Sequence, residues 1–124
     1  MLRHAIGIVA IGLSSLVGGG NQAGAAEPSY VGRWYVGDAS TCKGKKGDTQ
    51  GLLVYTAQEL SGFQSKCRIQ RAVAKGPGFE LSMRCRAEGE TSNDREYVEV
   101  RDGKLRRTVV VERKPVTFTY PRCP

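Results

Sequence analysis

The chain has 124 residues, of which 40% are hydrophobic and 25% charged, and its formal net charge at pH 7 is +7. This is the length of one domain, and it excludes α/β barrels and doubly wound nucleotide-binding domains, which need a longer chain. The only histidine, His4, lies in the basic head of a predicted export signal. We therefore expect the mature chain to lack the imidazole that many catalytic and metal sites use.

The first 26 residues follow the pattern of a secretory signal peptide. A short basic head precedes a mostly apolar stretch over residues 5–17, and residues 23–26 read Ala-Gly-Ala-Ala, a cleavage site for signal peptidase. The apolar stretch is shorter than the roughly 20 residues that span a bilayer, so we expect no transmembrane segment. We predict a signal peptide over residues 1–26 and a single β domain over residues 27–124, located in the periplasm or secreted.

Four cysteines lie in the mature part of the chain: Cys42, Cys67, Cys85 and Cys123. An even number in an exported chain predicts two disulfides. Zinc is the alternative, but there is no C-x-x-C pair and no mature histidine, so we predict neither a metal nor a cofactor. Of the three possible connectivities we favour Cys42–Cys67 with Cys85–Cys123. A bridge directly across neighbouring strands is less usual, although the strand register allows Cys67–Cys85.

Seven short segments rich in β-branched and aromatic residues predict strands separated by turn signals. They cover residues 30–36, 52–56, 66–73, 79–86, 97–100, 105–111 and 116–120. Residues 57–62 are compatible with a helical turn or a loop. The pattern predicts an all-β fold, a small antiparallel barrel or sandwich of about seven strands with two disulfides.

Two hairpins can be placed in register from the sequence. The turn at Gly76 predicts that Val73 faces Phe79, Ile69 faces Met83 and Cys67 faces Cys85, all on one apolar face. The Asp-Gly turn at residues 102–103 pairs Val100 with Leu105 and Glu99 with Arg106. The alternation then slips at Arg106 and Arg107, which predicts a bulge there.

The same register predicts a basic outer face. Lys66 lies opposite Arg86 and Arg68 opposite Arg84, although like charges directly opposite each other destabilise a sheet. After loss of the leader the net charge is +6, from 18 Lys and Arg against 12 Asp and Glu. The charge either serves an anionic partner or only aids solubility. The candidate binding residues are Lys66, Arg68, Arg84 and Arg86, with Lys43, Lys45 and Lys46 from a basic loop.

One segment matches a catalytic motif. Residues 40–43 read Ser-Thr-Cys-Lys, the S-x-x-K of serine acyl-transferring enzymes. That motif belongs on a helix of a much larger chain, whereas here it lies in a loop and contains a cysteine that we expect to be oxidised. We predict no catalytic residue and no enzyme activity.

Two resemblances are present, one over three residues and one that spans most of the mature chain. Gly32-Arg33-Trp34 resembles the G-x-W that opens lipocalin-type barrels, including small exported bacterial metalloprotease inhibitors, and we expect Trp34 to fill one barrel end. The wider layout resembles small exported bacterial β proteins with four cysteines and no assigned activity. It consists of Trp34 with Cys42, then Cys67-Arg68-Ile69, Cys85-Arg86-Ala87-Glu88-Gly89 and Arg122-Cys123.

These observations predict an exported binding or inhibitor-like module that contacts an envelope protein or an anionic envelope component through its basic face. We do not expect a nucleic-acid partner, because export removes the protein from most nucleic acid. The alternative is a structural or stress-related envelope protein with no dedicated binding site. A carrier of small ligands ranks last, because so short a barrel leaves little lumen. The oligomeric state stays open.

Overall fold

A computed structural model describes residues 27–124, so the predicted signal peptide lies outside the described residues. Eight antiparallel strands form one sheet in chain order, and a 3-10 helix, Ala39–Lys43, lies between the first two. The strands are β1 (Gly32–Tyr35), β2 (Leu52–Tyr55), β3 (Glu59–Gly62), β4 (Ser65–Lys75), β5 (Gly78–Ala87), β6 (Glu90–Arg101), β7 (Lys104–Val111) and β8 (Lys114–Pro121).

The two ends of the sheet meet at a bridge between Trp34 and Arg122. The sheet is therefore a nearly closed up-and-down barrel, an architecture that closes a meander on itself and covers most strand edges. The predicted all-β antiparallel fold is confirmed, with eight strands in place of about seven.

The additional strand is β3, the segment for which the sequence left a helical turn or a loop open. Leu60 pairs with Tyr55 on one side and with Cys67 on the other, and it is buried. Four residues are too few to show a period. The strand is formed because β2 and β4 supply hydrogen-bonding partners along both of its edges.

The hairpin of β4 and β5 follows the predicted register only in its first half. Cys67 faces Cys85 and Ile69 faces Met83, as expected, but the register shifts by one residue between Ile69 and Arg71. The predicted pair of Val73 and Phe79 is wrong, since Phe79 faces Ala74. The bulge turns Arg71 outward, where it is exposed. Without it, this charge would lie opposite Leu81 in the core, at a large desolvation cost.

The hairpin of β6 and β7 shows the opposite outcome. The pairs of Val100 with Leu105 and Glu99 with Arg106 are confirmed, and the register continues with Val98 facing Arg107. The bulge predicted at this point is therefore wrong. Arg107 remains on the inner face because its Nε donates a hydrogen bond to the Glu96 carboxylate at 2.7 Å.

Two disulfides are present, but the favoured pairing is wrong. The bonds are Cys42–Cys123, with a Cα–Cα distance of 5.6 Å, and Cys67–Cys85, with a distance of 3.9 Å. The second follows from the register, which places the two cysteines directly opposite each other on β4 and β5. The first ties the 3-10 helix to the segment after β8, where the Cys123 amide donates to the Arg33 carbonyl.

The apolar core fills the end of the barrel where β1 and the C-terminus meet. Trp34 has 0% exposure, its Nε1 donates to the Tyr30 carbonyl at 2.9 Å, and the Arg122 guanidinium lies 4.2 Å from its ring centroid. Burying an indole with its N–H satisfied gains apolar burial without an unpaired donor. The largest fully buried side chains are Trp34, Tyr30, Tyr55, Leu52, Leu81, Met83, Leu105 and Val98.

A buried polar triad borders this core. Glu96 is 4% exposed; it accepts hydrogen bonds from the Tyr55 hydroxyl at 2.5 Å and from Arg107. Burial raises the pKa of Tyr55 well above its ordinary value, and the neighbouring Glu96 charge raises it further. Burial lowers the pKa of Arg107, but its interactions with Tyr55 and with the Glu96 carboxylate outweigh this and raise it overall. The carboxylate is therefore held by both partners, as a buried charge requires.

Candidate functional site

The outer surface of β4 and β5 brings four of the predicted binding residues together. Lys66 lies opposite Arg86 and Arg68 opposite Arg84, and all four side chains are exposed. Side chains alternate along a strand, so the buried neighbours of these cations, Cys67, Met83 and Cys85, fix their outward direction. The four cations line one open concavity with a volume of about 530 Å³, which is also lined by Glu59, Gln70 and Thr91.

Few acids neutralise this cluster. Glu59 lies 3.4 Å from the Lys66 ammonium, and Arg84 donates to the neutral Asn93 amide oxygen at 3.3 Å. Among residues 27–124, Arg68, Arg84 and Arg86 form no salt bridge. Three guanidinium groups are thus free to bind an anion, which their planar arrays of N–H donors recognise well.

The bulge in β4 enlarges the cluster beyond the sequence prediction. Arg71 and Lys75 also face outward, and Arg95 of β6 lies beside them across Ser82. Glu80 is the acid of this part, 3.3 Å from Lys75 and 3.5 Å from Arg95. We use the name basic face for the seven cations Lys66, Arg68, Arg71, Lys75, Arg84, Arg86 and Arg95.

Sequence analysis missed part of this surface for identifiable reasons. Strict alternation with Ile69 and Val73 predicts Arg71 on the inner face, because the sequence pattern carries no local sign of the bulge. Glu59 was missed since its segment was not read as a strand, although β3 places it opposite Arg68. Thr91 lies opposite Arg86 on β6, in a segment without a clear apolar period. The signal for Arg95 was the Asp-Gly turn. If the alternation of inner and outer residues set at that turn is continued along β6, Arg95 falls on the outer face.

The loop lysines lie apart from this surface. Lys43 ends the 3-10 helix, and neither it, Lys45 nor Lys46 lines the concavity. Lys45 lies 3.9 Å from Asp48. The loop is nevertheless anchored near β4, because the Gln64 amide of the β3–β4 turn donates to the Gly47 carbonyl at 2.9 Å. The structure thus places the three lysines on a neighbouring loop.

The loop itself is held by hydrogen bonds. The Asp38 carboxylate caps the 3-10 helix by accepting from the Ser40 amide at 2.8 Å, and these hydrogen bonds from Ser40 lower the pKa of Asp38. One nitrogen of the Arg33 guanidinium donates to the carbonyls of Cys42 and Gly44, each at 2.9 Å. The Ser-x-x-Lys segment therefore forms an exposed, disulfide-bonded 3-10 turn.

Three side chains of the inner face approach one another in the manner of metal ligands. The sulfurs of Cys67 and Cys85 and a carboxylate oxygen of Asp94 lie within 4.8 Å of each other. The two sulfurs are bonded to each other, whereas a metal needs a thiolate. With the two sulfurs oxidised, the Asp94 carboxylate is the one group of this cluster that carries a charge for a metal to bind.

Within the described range, no helix has the length and apolar character needed to cross a membrane. No protein-family model matches the chain, and neither a curated protein nor a solved structure matches it. Any inference about function therefore rests on the residues of this structure, above all on those of the basic face.

Proposed function

We propose that this protein is an exported binding module whose basic face contacts an anionic partner, either an acidic surface of an envelope protein or an anionic envelope component. The observation that carries the proposal is the direct opposition of like charges on β4 and β5, Lys66 with Arg86 and Arg68 with Arg84. Each such pair costs a few tenths of a kcal/mol. Cations that served solubility alone would not need to lie directly opposite each other on neighbouring strands.

A like-charge pair elsewhere illustrates the contrast. Arg101 faces Lys104 beside the β6–β7 turn, but Arg101 lies 3.8 Å from the Glu99 carboxylate, which offsets the repulsion. The charge of Lys66 is likewise offset by Glu59, at 3.4 Å. Glu59 also lies opposite Arg68 on β3, but among the described residues Arg68 and Arg84 form no salt bridge. Clustered, unneutralised cations on one concave surface raise the local concentration of anions and speed their association.

The two disulfides support the proposed location. Disulfides persist in oxidising compartments such as the periplasm and the exterior of the cell, and all four cysteines of the chain are used in them. The predicted signal peptide is the route by which the chain would reach such a compartment. The acidic partner would then be a component of the envelope and not an intracellular nucleic acid.

The proposal is tested with two variants of equal charge. Arg68→Gln with Arg84→Gln removes two cations from the basic face, while Lys104→Gln with Lys114→Gln removes two exposed cations elsewhere. Binding is measured to vesicles containing phosphatidylglycerol, with phosphatidylcholine vesicles as the neutral control, and to polyglutamate as an acidic polypeptide.

We expect the first double variant to lose at least about 10-fold in affinity for at least one anionic probe, because the loss of even one charge-assisted hydrogen bond implies a change of that size. The second variant should retain wild-type affinity. Equal losses in the two variants, or no binding of either probe near physiological salt, would show that the charge serves solubility alone. That result would favour the structural envelope protein.

A further inference from the structure

At one end of the barrel, the neighbouring strands β6 and β7 separate. The pairs between β6 and β7 run from Arg101 with Lys104 to Tyr97 with Thr108, although both strands continue beyond that point. In the part of the chain that the structure describes, residues 90–96 pair with β5 alone and residues 109–111 with β8 alone. Two strand edges with unpaired backbone groups therefore face each other.

A cavity of about 510 Å³ lies between these edges. Four consecutive residues of β6, 93–96, line one side, and Val109 and Val110 of β7 line the other. Consecutive side chains on a strand point to opposite faces, so a cavity bordered by four in a row runs along the strand edge. We name this cavity the edge slot. Its volume lies in the range of sites that bind ligands.

The floor of the edge slot is apolar. It consists of Met83 and the Cys67–Cys85 disulfide, with Val109 beside them. Val110, which lines the slot, has 69% of its surface exposed. Two further exposed apolar residues lie on the same pair of strands, Val111 next to it on β7 and Phe118 opposite Arg107 on β8. Exposed apolar side chains next to unpaired strand edges are typical of surfaces that bind another chain.

One uncompensated charge lies in the edge slot. Asp94 approaches the disulfide sulfurs within 4.8 Å, and no described cation forms a salt bridge with it. The other carboxylate, that of Glu96, is bound by Arg107 at 2.7 Å. Two cations, Arg95 and Arg107, also line the slot, but each is paired with a carboxylate, Arg95 with Glu80 at 3.5 Å and Arg107 with Glu96. An occupant therefore meets an apolar floor and one carboxylate, that of Asp94, that has no salt bridge among the described residues.

We propose that the edge slot binds an extended peptide segment of a partner protein, which adds to the free edge of β6 as an extra strand. Its backbone would pair with residues 90–96, its alternate apolar side chains would cover Met83 and Val109, and a Lys or Arg would face Asp94. Strand addition of this kind obtains affinity from main-chain hydrogen bonds and specificity from the pockets that receive alternate side chains.

A second copy of the chain fits this edge less well. Pairing β6 with β6 across a two-fold axis would continue the sheet from one copy to the other. The two basic faces would then adjoin, since Arg84 and Arg95 lie on the outer side of the same strands. Like charges brought together across an interface disfavour the association.

The test uses a synthetic ten-residue peptide of alternating Val and Thr with one central Lys. A second peptide has the same side chains but carries N-methyl groups on alternate amides of the pairing edge. We expect the first to shift the amide resonances of residues 90–96 and 109–111 in the exported protein, and the second to bind at least about 10-fold more weakly, because its main-chain donors are gone. Equal binding of the two peptides, shifts confined to other strands, or no binding would overturn the proposal.

Two substitutions sharpen the test. Val110→Lys should weaken binding of the first peptide, while Val36→Lys, at a valine that is 52% exposed outside the slot, should not. Asp94→Asn should weaken the Lys-containing peptide but leave unchanged a peptide with Thr in its place. If the free protein forms a dimer that Val110→Lys dissociates, the occupant is a second copy and the proposal is wrong. The N-methyl comparison uses wild-type protein and decides the matter even if a variant fails to fold.

Discussion

The two halves of this barrel are held together by different means. In the closed half, Trp34, Leu81 and Leu105 are fully buried, and β6 pairs with β7 over residues 97–101. In the open half, from residue 90 to 96 and from 109 to 118, β6 and β7 separate and Phe118 remains 44% exposed. The Cys67–Cys85 disulfide joins β4 and β5 beside the edge slot. The β6–β7 seam of this small barrel is therefore closed by strand pairing at one end and leaves strand edges open at the other.

The largest expected effect concerns the disulfide of the closed half. Replacing Cys42 and Cys123 by Ala releases a constraint across 81 residues and should lower the free energy of unfolding by about 4.5 kcal/mol. Replacing Cys67 and Cys85, which are 18 residues apart, should lower it by about 3 kcal/mol. Guanidinium unfolding measures both. A larger loss from the second pair would show that the open half depends on its disulfide more than loop entropy allows.

The next largest difference between the halves should come from the packing of their aromatic side chains. Trp34→Ala should cost about 4 kcal/mol, because it leaves a large cavity in the closed core. Phe118→Ala should cost less than about 1 kcal/mol, since this ring is already partly in water. Urea unfolding of the two variants gives the comparison directly. Similar losses would mean that the exposed ring packs far better in solution than the structure indicates.

The triad at the boundary of the halves predicts a pH dependence. Burial raises the pKa of Tyr55 above its ordinary value of 10.0, so the folded protein holds this proton more tightly than the unfolded chain. The stabilisation from this difference is complete below pH 10 and is lost as the pH rises further. We expect the free energy of unfolding to fall more steeply above pH 10 in the wild type than in Tyr55→Phe. Tyr35→Phe, at a half-buried tyrosine of β1, is the control, and identical slopes in all three proteins would contradict the assignment.

The smallest expected effect lies on the basic face and has the opposite sign. Arg84→Glu places a carboxylate opposite Arg68 and should raise the free energy of unfolding by about 0.5 kcal/mol. Lys114→Glu, opposite the uncharged Val111, should leave stability nearly unchanged. Thermal unfolding at low salt resolves the two. A variant that gains stability while losing anion binding is the signature of a surface kept for function; a loss of stability would remove that argument.

Much of the basic face was predictable from sequence, because it lies near a well-marked turn. The pairs of Lys66 with Arg86 and Arg68 with Arg84 follow from alternation and the Gly76 turn alone. Three members are not predicted by the sequence: Lys75, which borders the Gly76 turn, and the strand residues Arg71 and Arg95. The two strand residues escape prediction for different reasons. A bulge moves one of them by a single position, and the other belongs to a part of β6 that is exposed on both faces and so shows no apolar period.

The sequence by itself determined the all-β class, the two hairpin turns, the number of disulfides and the outward direction of the four central cations, since each depends on a period of two or on a local turn. Tertiary structure decided the register after Gln70, the inward position of Arg107, the strand at β3 and the proximity of Cys42 to Cys123. The reason is that a charged residue turns inward or outward according to whether a distant partner is present. Arg107 has Glu96, which also binds Tyr55 across 41 positions of the chain; Arg71 has no such partner among the described residues, and the strand bulges to expose it.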